Sequence, residues 1–141
     1  MRQQLSIVTL GVKDLQRSLK FYKDGLGWKP SNASNENITF FQMGGVVFSL
    51  YPRDKLAEDV KIKPDGDGFS GITLAYNAKD KTEVDNVLKQ VESLGAKIVK
   101  KAEKVFWGGY SGYFSDFDGH LCEVAWNPFF EFDESNNLVL P

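Results

Sequence analysis

The 141-residue chain contains one histidine and one cysteine. A single cysteine cannot close an internal disulfide, and no Cys/His cluster has the spacing of structural zinc. Cys122 is therefore read as a small buried hydrophobe of a reducing cytoplasm. A dominant charge is also missing: 17 Lys and Arg face 19 Asp and Glu, for a net charge of −2. Such a surface sets up no field for phosphate backbones or anionic lipid, so neither nucleic acid nor membrane is an expected partner. No segment reaches the ~20 apolar residues of a membrane span. The apolar stretch in "MRQQLSIVTLGV" is too short, and too interrupted by Thr and Gly, for a signal peptide. The expected protein is soluble and cytoplasmic.

What is present is an ordinary globular balance in which 11 Phe stand out. The length suits one domain over 1–141, able to bury most of its apolar surface, or two small modules sharing a core. The order of elements occurs twice. "LSIVTLGV" is β-branched and apolar; Asp14 then caps a helix whose Leu15, Leu19, Tyr22 and Leu26 share a face, and Gly25 and Gly27 stop it. "ITFFQM" and "VVFSLY" follow, joined across Gly44 and Gly45 as a hairpin. In the second half "GITLAYN" is a strand, and Asp80 with Glu83 forms a capping box. Val84, Val87, Leu88 and Val91 then make a helical stripe up to Gly95. "AKIVK", "SGYFSD" and "HLCEVAW" complete the plan, and "TLGV" against "TLAY" echoes it in letters. Self-similarity of this kind is architectural, because neither unit alone covers its own sheet face.

On "VTLGVKDLQRSLKFYKDGLGW", "GITLAYN" and "GYFSDFDGHLCEVAWNP" the chain resembles the vicinal oxygen chelate superfamily over residues 5–128. That superfamily includes lactoylglutathione lyases, fosfomycin-modifying enzymes, extradiol dioxygenases and bleomycin-resistance proteins. The resemblance implies an α+β fold of two tandem βαβββ modules, residues 5–62 and 69–128, with a tail at 129–141. Their mixed sheets would curl around a concave site. Many chemistries use that fold, so the resemblance does not settle function.

Metal-dependent members hold a divalent ion with His, Gln or Glu from four strand positions. Carried over one at a time, these fall on Ile7, on Ser49 (with Gly45 aligned to Gly119), on Gly71 or Ile72, and on Glu123. Only Glu123 matches. A catalytic divalent site draws about three protein ligands, so no metal and no cofactor is expected. His120 stands three residues from Glu123, hence on the other face of a strand, and is read as solvent-facing.

Strand parity gathers the pocket-facing residues: Thr9, Ser49, Tyr51 and Thr73 with Glu123, while Cys122, Val124 and Trp126 turn to the helices. Glu123 has two readings, a structural carboxylate satisfied by neighbouring hydroxyls or an acid that anchors a ligand or acts as a general base. In "AEKVFWGGYSGYF" the glycines and aromatics suit a loop closing over a flat ligand, with Trp107 and Tyr110 as the lid; a core or dimer-interface role is the alternative. Lys97, Lys100, Lys101 and Lys104 read as a solvated edge strand. Phe129, Phe130 and Phe132 of the tail clasp a partner subunit or cover the sheet edge.

Three functions compete. The first is a metal-free binder of a small aromatic or amphipathic molecule, similar to bleomycin-resistance proteins. The second is a lyase or isomerase, similar to lactoylglutathione lyase, with Glu123 as base or sole retained metal ligand. The third is an interaction protein whose pocket its own side chains fill. The resemblance also implies a homodimer.

Overall fold

Short-range signals set the ends of the helices. In the computed structural model, which describes residues 6–61, 63–66, 68–70, 72–106 and 108–139, Asp14 Oδ1 accepts the Arg17 N–H at 3.0 Å. Asp80 Oδ1 accepts that of Glu83 at 2.8 Å. Glu83 Oε2 reaches back to the Lys79 N–H at 2.6 Å, which completes the reciprocal cap. The protein is α+β and divides into two compact units, Met1–Gly68 and Phe69–Pro141.

The first unit runs β1 (Ile7–Val12), α1 (Leu15–Leu19), a π-helical continuation (Lys20–Gly25), β2 (Thr39–Met43), β3 (Val46–Pro52) and α2 (Arg53–Val60). The sheet order is β1-β3-β2, with β1 parallel to β3 and β2 antiparallel to it. Leu10, Val12, Phe41, Phe48 and Leu50 are buried on one face. Tyr22 and Trp28 close over them, with ring centroids 5.3 and 5.5 Å from that of Phe48. Ser18 and Phe21 are buried as well, so the helix hides more than its Leu and Tyr stripe.

Ahead of β2 the expected further strand is reduced to one bridge, Pro30 to Phe41. Pro30 has no N–H for a ladder. The Ser- and Asn-rich stretch after it turns its side chains onto its own backbone. Asn35 Oδ1 accepts the N–H groups of Asn37 and Ile38 at 2.8 and 3.2 Å, and Ser31 Oγ that of Ala33 at 3.2 Å.

The second unit carries the plan in full: β4 (Leu74–Asn77), α3 (Lys81–Ser93), β5 (Lys97–Lys104), β6 (Tyr110–Ser115) and β7 (Leu121–Trp126). The order is β4-β7-β6-β5, with β4 parallel to β7. β5 is thus an edge strand, as its lysines suggest. It runs beyond "AKIVK" to Lys104 and pairs with β6 through two register shifts. Val84, Leu88 and Val91 of α3 pack on Phe114 and Val124, all buried. After β7 a hairpin of β8 (Glu131–Phe132) and β9 (Leu138–Val139) ends the described chain. Asp133 closes its turn by accepting the N–H groups of Ser135 and Asn137. In the tail Phe129 is exposed and Phe130 and Phe132 are half-buried.

The irregular pairing of β5 crowds one glycine. A Cβ on Gly112 would stand 2.7 Å from Leu88 Cδ1 and 2.9 Å from both Ala102 N and Lys100 O. Two of these atoms are backbone and cannot swing away. Gly112→Ala is therefore expected to lower stability by about 1–3 kcal/mol, whereas Gly45→Ala, which meets nothing within 4 Å, changes little. Urea denaturation midpoints of the two variants check this.

Candidate functional site

The two-residue period of β7 decides which side chains can share a site. Val124 is fully buried under α3, so Glu123 and Ala125 project from the opposite face of the sheet. Beside them the register brings Ala75 of β4 next to Glu123 on one flank and Tyr113 of β6 on the other. The Tyr113 side chain stands beside the Glu123 carboxylate; partial burial first, and then the hydrogen-bonding pull and the charge of that carboxylate, raise the phenol above its ordinary range.

This pair forms the floor of a groove of about 320 Å³ in the second unit. Ser111, two residues from Tyr113 on the same face, is only 2% exposed yet lines the groove. Its hydroxyl makes no hydrogen bond to protein among the described residues, and its oxygen opens on the groove rather than being enclosed. Lys100, Glu103, Lys104 and Phe106 make the wall and rim. Lys100 Nζ is 3.1 Å from Glu103 Oε1. A larger cleft of about 780 Å³ lies between α3 and β5, but aliphatic and charged side chains line it, without a hydroxyl, histidine or thiol.

The residues anticipated from the sequence are distributed as follows. Thr9, Ser49 and Tyr51 share one face of the first unit's sheet, where the Thr9 and Ser49 hydroxyls bond at 2.7 Å. Ser49 is fully enclosed, so that bond occupies a hydroxyl no ligand reaches. Tyr51 is half-buried. In the second unit Thr73 is exposed just ahead of β4. Trp107 lies outside the described residues.

Tyr110 departs from the expected lid. It belongs to β6 rather than to a loop, on the helix-facing side, and its hydroxyl donates to Asp85 of α3 at 2.9 Å. The reason is the short hairpin: Val105 N–H to Gly109 O at 3.1 Å closes the turn and starts β6 at Tyr110. Cys122, Val124 and Trp126 do face α3, with Lys81 Nζ 5.0 Å from the Trp126 ring centre.

His120 is not solvent-facing. Its Nδ1 is 3.0 Å from Asp116 Oδ2, with the His side chain 21% exposed and the Asp 2%. Asp116 Oδ1 also accepts the N–H groups of Asp118 and His120, at 3.0 and 2.9 Å. The carboxylate thus organises the turn before β7, and the histidine is part of that structure.

The donor set does not fit the family's divalent ion. Ile7 is aliphatic and 52% exposed, Ser49 is engaged by Thr9, and Gly71, outside the described residues, has no side-chain donor. The parallel pairs also revise the carried-over position on β3. With "TLGV" and "TLAY" aligned, Gly11 to Tyr51 in β1–β3 corresponds to Ala75 to Glu123 in β4–β7. Tyr51, not Ser49, is therefore the counterpart of Glu123. The longer turn from Asp116 to His120, against Gly44–Gly45, offsets the alignment made on the glycines. A neutral phenol is no better a ligand than a serine. Among the described residues no three His, Cys, Asp or Glu side chains gather as a metal site.

Ser111 was not read from the sequence as a candidate, and Tyr113 was read only as one of the aromatics of the expected loop, not as the neighbour of Glu123. The signal was available: counting outward from the "DFDG" turn pairs Ser115 with Leu121, and hence Tyr113 with Glu123.

Residues 4–124 match the family described as Glyoxalase/Bleomycin resistance protein/Dioxygenase superfamily. The fosfomycin resistance protein FosX of Listeria monocytogenes is 28% identical over 126 residues, which cover 85% of this chain and 86% of the relative. The uncharacterized protein YraH of Bacillus subtilis is 30% identical over 122 residues, 83% of this chain and 93% of its own. Among solved structures, a glyoxalase-related enzyme from Fulvimarina pelagi superposes with a TM-score of 0.89 at 33% identity, covering 98% of both chains.

Cys122 supplies a test of the face assignment. Burial, and secondarily the Asp116 charge, push its thiol up to about 12. At pH 8 the thiolate fraction is then on the order of one part in ten thousand. Ellman's reagent is expected to label the native protein far more slowly than the protein unfolded in about 6 M guanidinium. Rapid native labelling would place Cys122 on an open face.

Proposed function

The chain belongs to the glyoxalase/bleomycin resistance protein/dioxygenase superfamily, and on that premise we propose that it binds a small organic molecule, without a metal, in the groove beside Glu123. The observation that carries this is Ser111. Among the described residues no enclosed side-chain oxygen or nitrogen lacks a partner, so the Ser111 hydroxyl, which bonds to no protein group, is one that the groove reaches. Here it opens on the groove, where an occupant satisfies it. Glu123 stands beside Tyr113, and a carboxylate has about four acceptor positions, so it takes a hydroxyl of the occupant. A recognition site of this size, with few polar groups converging on it, is of the kind small molecules use. The Listeria relatives are named for fosfomycin resistance, which supports a small-molecule reading without naming this chain's ligand.

A second reading keeps the same geometry and adds chemistry. With Tyr113 as its cross-strand neighbour, Glu123 faces the groove and takes a proton from a bound substrate, as in a lyase or isomerase. Both readings take the protein as a cytoplasmic homodimer, by superfamily habit, with no nucleic-acid partner at a net charge of −2.

Native mass spectrometry with elemental analysis, repeated after addition of nickel, zinc or manganese, tests the metal-free binder. The expected result is no stoichiometric metal, together with a small organic adduct that Ser111→Ala and Glu123→Gln both reduce. A stoichiometric ion lost in Glu123→Gln would overturn it. Conversion of the adduct on the wild-type protein but not on Glu123→Gln would select the second reading.

A further inference from the structure

The rim of the groove has two features that the Glu123 floor does not explain. Phe106 is 101% exposed, so no neighbour shelters its ring. A Phe left in water forgoes the gain of burial, and the backbone that carries this ring is fixed. It stands in a turn closed twice, by Val105 N–H to Gly109 O at 3.1 Å and Gly108 N–H to Val105 O at 3.0 Å. Gly108 holds the φ of +91° that this turn requires. The Phe129 ring lies beside the turn, its Cε2 3.8 Å from where a Gly108 Cβ would be, and is itself 68% exposed. Phe106 and Phe129 therefore give the turn at the groove's mouth an apolar face among charged neighbours.

The second feature is charge. Four charged side chains line the groove, and two of them are engaged: Lys100 with Glu103 makes an ion pair. Glu123 has Tyr113 as its cross-strand neighbour. Lys104, at the end of β5 beside Phe106, has no ion pair among the described residues. A polar sugar would leave Phe106 in water, and a cationic ligand would meet Lys104 first. We propose that Phe106 and Lys104 select the occupant of the groove, and that it is a flat apolar or aromatic molecule carrying one anionic group. This rests on the groove being the binding site. The ring of the ligand lies against Phe106, and its anion pairs with the Lys104 ammonium where the apolar rim keeps water away.

The test is isothermal titration calorimetry of the full chain with three probes: 2-naphthoate, the naphthalen-2-ylmethylammonium cation and acetate. Naphthoate is expected to bind, and neither the cation nor the ringless anion measurably. Phe106→Ala is expected to weaken naphthoate about tenfold or more, the worth of one buried ring. Lys104→Gln weakens it as well, and Lys104→Glu turns the preference toward the cation. Failure of the wild-type protein to bind naphthoate, or equal binding of acetate or the cation, overturns the proposal. Naphthoate binding that survives Phe106→Ala and Lys104→Gln but falls in Ser111→Ala overturns it while leaving the groove in place. Binding unchanged in all of these and in Glu123→Gln overturns the groove reading itself. Sedimentation of Phe106→Ala is the remaining check: a dimer that becomes monomeric only in this variant would show that a second copy covers the ring, and the proposal falls.

Discussion

Everything at the site follows from the alternation of side chains along β7, a strand held between β4 and β6. Val124 must be under α3, because it is the fully buried residue at the centre of that packing. Glu123 is then committed to the other face, and no local adjustment can bring it back. The same period fixes its neighbours: a one-residue slip of β6 would replace Tyr113 with Gly112 or Phe114 and leave the carboxylate without its phenol. Gly112 makes such a slip costly, since only a residue without a Cβ fits between Leu88 and the backbone of β5. Steric crowding on one side of the sheet thereby locates the chemistry on the other.

Much of the fold was legible because its signals are local. Asp14, and Asp80 with Glu83, cap helices through hydrogen bonds spanning three residues. The Gly44–Gly45 turn joins two strands that could not otherwise reverse so tightly. The repeat of βαβββ was visible for the same reason. Features that depend on pairing between distant segments were less legible. The register shifts of β5 against β6 leave no mark in the letters of either strand, and they determine which residues crowd Gly112. Pro30 ends as a single bridge because the Asn and Ser residues after it satisfy their own backbone.

Within the site, Glu123 was identified from the sequence, and its face follows from the apolar residues that alternate with it. Tyr110 was misplaced because the turn at 105–109 is shorter than the run of glycines and aromatics suggests, so a supposed loop residue is a strand residue bonded to Asp85. His120 was misjudged because a histidine after a turn has no obvious partner in sequence. Asp116, four residues earlier, becomes its neighbour only when the turn closes. Ser49 was chosen by matching glycines across turns of unequal length, and the ladder of the parallel strands corrects the choice to Tyr51.

That correction bears on how such a chain acquires a function. Three strands of one half, β1-β3-β2, match β4-β7-β6 of the other in order, and the two halves carry a phenol and a carboxylate at corresponding positions. Duplication begins with two equal sites. Because the helix-facing core of each half is built from different residues than its open face, the open faces are free to diverge without either half losing its framework. The turn from Asp116 to His120, longer than its counterpart at Gly44–Gly45, is one record of that divergence. Chemical asymmetry is then the inherited state of a symmetric architecture, and a single chain can specialise one sheet while the other remains its structural twin.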